Sequence, residues 1–174
     1  MVNTPMVDLP EIPHHHMIDL APVALVQADS ERFRAIIAAG TDHYGQRTLA
    51  VGDAISRRWL AACSNPYAAE IEAIAAIAGT PGAFLLNLSY EWTCTTSATA
   101  DPSGTGNRML RTLDWPLQGL GRNVVVATME GAAGIYKNVT WPGFAGVATA
   151  MAPDRFSGAI NQPPMRKWSP SCGL

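Results

Sequence analysis

Two short stretches hold residues that could do chemistry together: Glu91-Trp92-Thr93-Cys94-Thr95-Thr96-Ser97 and Arg111-Thr112-Leu113-Asp114. Cys94 stands where a β-strand is expected to start, with small hydroxyl residues on both sides, and Arg111 follows seventeen positions later. A cysteine nucleophile needs a base, most often a histidine, and none lies near in sequence. A backbone break between Thr93 and Cys94 would supply one, because it leaves Cys94 with a free α-amino group. Such an amine has an intrinsic pKa of about 7.7–8.0 against about 8.5 for a thiol, so it can take the thiol proton near neutrality. N-terminal threonine enzymes use the same logic.

These groups must be positioned by the rest of the chain, which reads as a helical front half followed by a β-meander. Asp29 and Ser30 offer an N-cap for a helix carrying Phe33, Ile36 and Ile37, with Gly40 as its expected end. A second helix is expected from about Leu49 to Ala62, burying Ile55, Trp59 and Leu60. Asn65-Pro66 reads as cap and first position of a third, with Tyr67, Ile71, Ile74 and Ala78 on one stripe and Gly79 to Gly82 as its stop. The apolar run from Phe84 to Tyr90 leads into Cys94, helical or extended. Strand signals then alternate with turns: 94–100, 109–115, 123–129, 133–139, 144–151 and 156–161. At the other end, 1–19 reads as an irregular arm and 17–27 as a strand or extended docking segment. His14-His15-His16 reads as a chance or surface tract, because three successive histidines cannot all face one ion.

At 174 residues the chain is long enough for one domain with a real core. With 48% hydrophobic and 15% charged residues it is globular rather than disordered. A formal charge of −2 offers no electrostatic case for nucleic acid or an anionic membrane. Cys63, Cys94 and Cys172 show no metal or redox spacing, and their odd number suggests no disulfide framework. No lysine or arginine precedes Arg32, so the positive region of a secretory signal is missing and the expected location is cytoplasmic.

Four blocks taken together carry a resemblance. They are Asn87 to Ser97, Arg111-x-x-Asp114-Trp115, Trp141-Pro142-Gly143-Phe144-Ala145-Gly146, and Phe156 to Asn161. In order and approximate spacing they resemble the acid ceramidase and N-acylethanolamine acid amidase family of N-terminal nucleophile hydrolases, relatives of the choloylglycine hydrolases. The resemblance implies an α+β fold of the αββα sandwich kind. Residues 1–93 would be its helical, propeptide-like segment, and 94–174 the β-rich start of its catalytic part. It implies self-cleavage between Thr93 and Cys94, with Cys94 as nucleophile. Arg111 would stand beside the thiol, Asp114 would orient the new amine, and Asn161 would donate to the oxyanion. Trp115, Trp141 and Phe144 would line the acyl chain, although aromatics at strand ends also serve as plain core.

The activity so implied is hydrolysis of linear amide bonds in N-acylated lipids such as ceramides or N-acylethanolamines, with no metal and no organic cofactor. The implied partners are a small N-acyl amide substrate and a transiently touched lipid surface, but no nucleic acid. The two cleaved fragments would stay associated with each other or with a further C-terminal part. Family members continue well past the oxyanion asparagine, whereas ten residues follow Pro164 here, so a C-terminally truncated chain and an incomplete sandwich are expected. Two alternatives stand beside the amidase: an acyltransferase of the same superfamily, and a non-catalytic remnant or partner subunit.

Overall fold

The computed structural model describes residues 11–18, 22–88, 91–132 and 134–162. The opening ten residues, 19–21, 89–90, Ala133 and everything from Pro163 on, Cys172 included, lie outside the described residues.

Strand β1 (His14–Ile18) comes first and leads to helix α1 (Pro22–Ala28). Both correct the sequence reading, which placed an irregular arm and an extended segment there. A short strand is ordered by its neighbour rather than by itself: β1 pairs in parallel with β4 (Val125–Gly131), more than a hundred residues away. Within the tract, His15 Nε2 lies 3.1 Å from Asp29 Oδ2, so this histidine ties the strand to the residue just after α1.

Helix α2 (Ser30–Tyr44) begins as expected, with the Asp29 carboxylate accepting from the Arg32 amide. It does not end at Gly40. A Cβ there would sit 3.0 Å from Leu86 Cδ1, so Gly40 permits close helix packing. Gly45, at φ 80°, breaks the helix instead. Helix α3 (Gln46–Ala62) buries Leu49, Asp53, Ser56 and Leu60, and the expected core residue Ile55 is exposed. In front of α4 (Ala68–Ala78), the Asn65 side chain accepts from the Tyr67 amide, so this turn delays the helix by two residues. Ile71 and Ile74 of the predicted stripe are buried, Tyr67 is largely exposed, and Gly79 closes the helix in the left-handed conformation.

The apolar run that follows is helical in its first part, α5 (Ala83–Asn87). Its start is capped from a distance, because Asp53 of α3 accepts from the amides of Gly82 (2.7 Å) and Leu85 (2.8 Å).

The β-rich half is divided between two sheets, where a single meander was expected. Strands β2 (Thr93–Ala100) and β3 (Asn107–Asp114) form an antiparallel pair of their own. After a 3-10 turn at Leu120–Asn123, β4 continues into β5 (Gly134–Thr140), β6 (Thr149–Ala152) and β7 (Phe156–Ala159). The larger sheet has the order β1-β4-β5-β6-β7, antiparallel apart from the β1–β4 pair. Alternation along its strands puts Met17, Val125, Ala127 and Met129 inward, where they pack with Leu25 of α1. Ile18, Ile135, Val139 and Met151 are exposed on the opposite face.

The stretch expected as a strand over 144–151 is mostly loop. Two features hold it. Gly143 has φ 95°, and a Cβ on it would stand 2.6 Å from Phe33 Cε2. The Asn87 amide donates to Gly143 O (2.8 Å) and accepts from Ala145 N (2.7 Å). This loop inserts Trp141 and Phe144 into the core.

Candidate functional site

Cys94 is the second residue of β2, and its strand partner is Leu113 of β3. Thr96 opposes Arg111 and Thr93 opposes Asp114 in the same register. Side chains alternate along a strand, so Cys94, Thr96, Arg111 and Leu113 share one face, with Thr93, Thr95, Thr112 and Asp114 on the other. The hairpin thus accounts for the seventeen-residue gap, bringing the arginine diagonally across to the thiol.

Arg111 Nη2 lies 3.3 Å from Cys94 Sγ and also donates to the carbonyl of Ile160 at 3.0 Å. One guanidinium nitrogen therefore joins the hairpin to the end of the large sheet. Beside it, the Thr96 hydroxyl donates to Asn161 Oδ1 at 2.8 Å. That bond fixes the amide so that Nδ2 is left as its donor end. Arg111 Nε is buried and without a hydrogen-bond partner. Cys94, Arg111 and Asn161 are thus brought together from three strand regions.

Asp114 lies on the other face, exposed, with the Thr112 hydroxyl 3.4 Å from its Oδ2. The Thr93 hydroxyl donates to the Asp114 backbone carbonyl at 3.1 Å. Asp114 is therefore beside the peptide that self-cleavage would break, rather than beside the thiol.

Trp115, Trp141 and Phe144 are all at most 8% exposed and form one aromatic cluster with Trp92. Cys94 and Leu113 pack against that cluster. The aromatics lie beneath Cys94, as a packed layer in contact with one another.

The network in front of Cys94 was missed in the sequence. Tyr44, the last residue of α2, donates to Glu91 Oε2 at 2.9 Å and accepts from Trp115 Nε1 at 2.9 Å. His43 Nε2 lies 3.8 Å from the same Glu91 oxygen. Burial, followed by the neighbouring Glu91 charge, pushes Tyr44 up to about 12, so it remains a neutral donor at ordinary pH. One phenol thus pins the residue three before Cys94 and the residue just after Asp114, holding both strands of the hairpin at the end that carries Thr93 and Asp114. No local signal announces a contact between residues forty-seven positions apart.

Cys63 is disulfide-bonded, which corrects the expectation, drawn from the odd number of cysteines, of no disulfide framework. Among the described residues, Cys94 is the free cysteine. Also among the described residues, no group of three or more histidine, cysteine, aspartate or glutamate side chains converges as a metal site, and no helix is long and apolar enough to cross a membrane. In comparisons with known proteins, no family model matches the chain and no curated protein matches it significantly.

Proposed function

We propose that this chain is a self-processing cysteine amidohydrolase of the N-terminal nucleophile kind, acting on linear amide bonds of N-acylated lipids. The observation that carries this reading is the Arg111 guanidinium, bonded at once to Cys94 Sγ and to the carbonyl next to Asn161. A thiol, a fixed cation and an oriented amide donor are the parts that acyl transfer requires.

In maturation the Cys94 sulfur attacks the Thr93 carbonyl carbon, and the peptide bond to the Cys94 nitrogen breaks. The thiol proton passes to that nitrogen, which becomes the α-amine, and water then hydrolyses the resulting thioester to free the thiol and the Thr93 carboxylate. In turnover that amine takes the thiol proton, and the sulfur attacks the substrate carbonyl. The tetrahedral oxyanion is met by the Asn161 amide and then collapses. The departing amine takes the proton held on the α-amine, leaving an acyl-thioester. Water, deprotonated by the α-amine, releases the acid. Arg111 steadies the sulfur and the acyl group, and Asp114 orients the new N-terminus from beside Thr93. The disulfide at Cys63 favours an oxidising compartment over the cytoplasmic location expected from the sequence.

One observation favours a second reading, a partner subunit without activity of its own. The outer face of the large sheet bears exposed Ile18, Ile135, Val139 and Met151, a surface suited to covering by another layer. Intact mass of the purified protein beside Cys94→Ala, after incubation from mildly acidic to neutral pH, separates the two. Two fragments meeting between Thr93 and Cys94, absent from the variant, support the amidase. A single intact chain under every condition overturns it. Product analysis with competing amines then distinguishes hydrolysis from acyl transfer to an amine.

A further inference from the structure

Between α4, the inner face of β4–β5 and the 141–147 loop lies a cavity of about 230 Å³. Much of its wall is apolar, and two of the polar side chains that line it are buried with an unpaired oxygen. Asn138 is 4% exposed, and its Nδ2 donates to the carbonyl of Gly146 at 3.1 Å. That bond orients the amide and leaves Oδ1 as an acceptor with no partner. Thr140, two residues along the same strand face, is 2% exposed, and its hydroxyl oxygen is likewise unpartnered. A two-residue step along a strand is roughly 6.6 Å, so one small molecule can reach both side chains. Buried polar atoms left unpaired are costly, so two in one cavity call for a ligand or solvent partner.

The opposite wall adds a charge and aromatic surface. Glu70 and Tyr67 of the α4 start line the cavity, with Tyr136 and Phe144 across from them. Burial raises the Glu70 carboxyl above its ordinary range, as expected for an acid without a cationic neighbour. Among the described residues, no lysine, arginine or histidine lines the cavity. A metal ion is poorly served by a single carboxylate.

We propose that this cavity binds a small organic cation, a primary ammonium on a short apolar chain. An ammonium has three N–H donors and no acceptor, which matches Asn138 Oδ1, Thr140 Oγ1 and the Glu70 carboxylate. Aromatic faces favour the same charge. The volume is below the roughly 300–1,000 Å³ of sites for larger ligands, which limits the guest to a few heavy atoms. Phe144 lines the cavity on one side and packs on Trp92 and Trp141 on the other, and binding in the cavity requires no chemistry at Cys94.

The test uses Cys94→Ala protein throughout, which keeps the chain whole whether or not it self-cleaves. Amide spectra of ¹⁵N-labelled protein are followed while n-propylammonium chloride is added, with propan-1-ol and sodium chloride as controls. Saturable shifts at the Asn138 side chain and the Gly146 amide are expected, with the ammonium bound roughly tenfold or more tighter than the alcohol. Glu70→Gln should weaken it by about tenfold and Thr140→Val by several-fold, each in a spectrum that stays dispersed. Equal binding of the alcohol, or an ammonium affinity unmoved by Glu70→Gln, would overturn the proposal. So would the absence of saturable binding up to about 0.1 M, which would leave these acceptors to water.

Discussion

Replacing Tyr44 by phenylalanine removes one oxygen and leaves the ring, so its cost can be worked from two hydrogen bonds. The larger loss is at Trp115, whose Nε1–H would lose its acceptor in a residue only 8% exposed. A buried donor left unpaired costs about 1–3 kcal/mol. The bond to Glu91 contributes less, because that carboxylate is half exposed and contacts of its kind are worth about 0.5 kcal/mol. Together these put Tyr44→Phe about 2 kcal/mol below the parent in urea unfolding. Trp115→Phe removes the orphaned donor, so adding Tyr44→Phe to it should cost only the smaller Glu91 share. The coupling energy expected from the four-protein cycle is therefore about 1–2 kcal/mol. If the tether also holds Thr93 in place for attack by Cys94, loss of some 1.4 kcal/mol of positioning slows self-cleavage about tenfold. Additive single effects would refute the hydrogen-bonded bridge. A coupled stability loss with an unchanged processing rate would refute its positioning role and leave it purely structural.

Three further outcomes follow from other contacts. Asp53→Ala leaves two helix-start amides without their carboxylate acceptor, and should lower stability by about 3 kcal/mol in urea melts while fraying α5. Gly143→Ala combines a positive φ with a Cβ driven into Phe33, and should cost about 3 kcal/mol, seen as a lower Tm and a weakened near-ultraviolet aromatic signal. At Asp29 burial pushes the carboxyl upward, but the Arg32 amide and guanidinium and the His15 contact outweigh it, and the net position is below the ordinary 3.8. A depressed folded-state pKa contributes stability above the unfolded value and loses it as pH falls through the folded one. The stability gap between parent and Asp29→Asn should therefore be full near neutrality and close as the pH drops below about 4; a constant gap would show that the charge is not what matters.

Much of the architecture was legible because its causes are local. The Asp29 cap, the Gly79 stop and the strand expected over 109–115 depend on residues within a turn or a strand of one another; the first two appear where the sequence placed them, and the strand runs Asn107–Asp114, shifted by one or two residues. The neighbourhood of Cys94 and Arg111 was legible for the same reason: a tight turn between two strands sets their register. Gly40 misled because a glycine that stops a helix and one that lets two helices touch look alike until the partner, here Leu86, is known. Ile55 misled because a helix's apolar residues are assigned a face only by what packs against it.

The tertiary structure alone decided how distant segments meet. The parallel seat of β1 against β4, the separation of β2–β3 from the larger sheet, and Asp53 capping a helix near thirty residues away arise from surfaces that exist only after the chain has closed on itself. The same holds at the site. Residue types and spacing nominated Cys94, Arg111, Asp114 and Asn161, but only the fold put Arg111 between the sulfur and Ile160, set Asp114 on the far face beside Thr93, and brought Tyr44 up behind both strands. Hydrogen-bond geometry is a property of side chains converging in space, and a one-dimensional order constrains that convergence only where the intervening chain is short and regular.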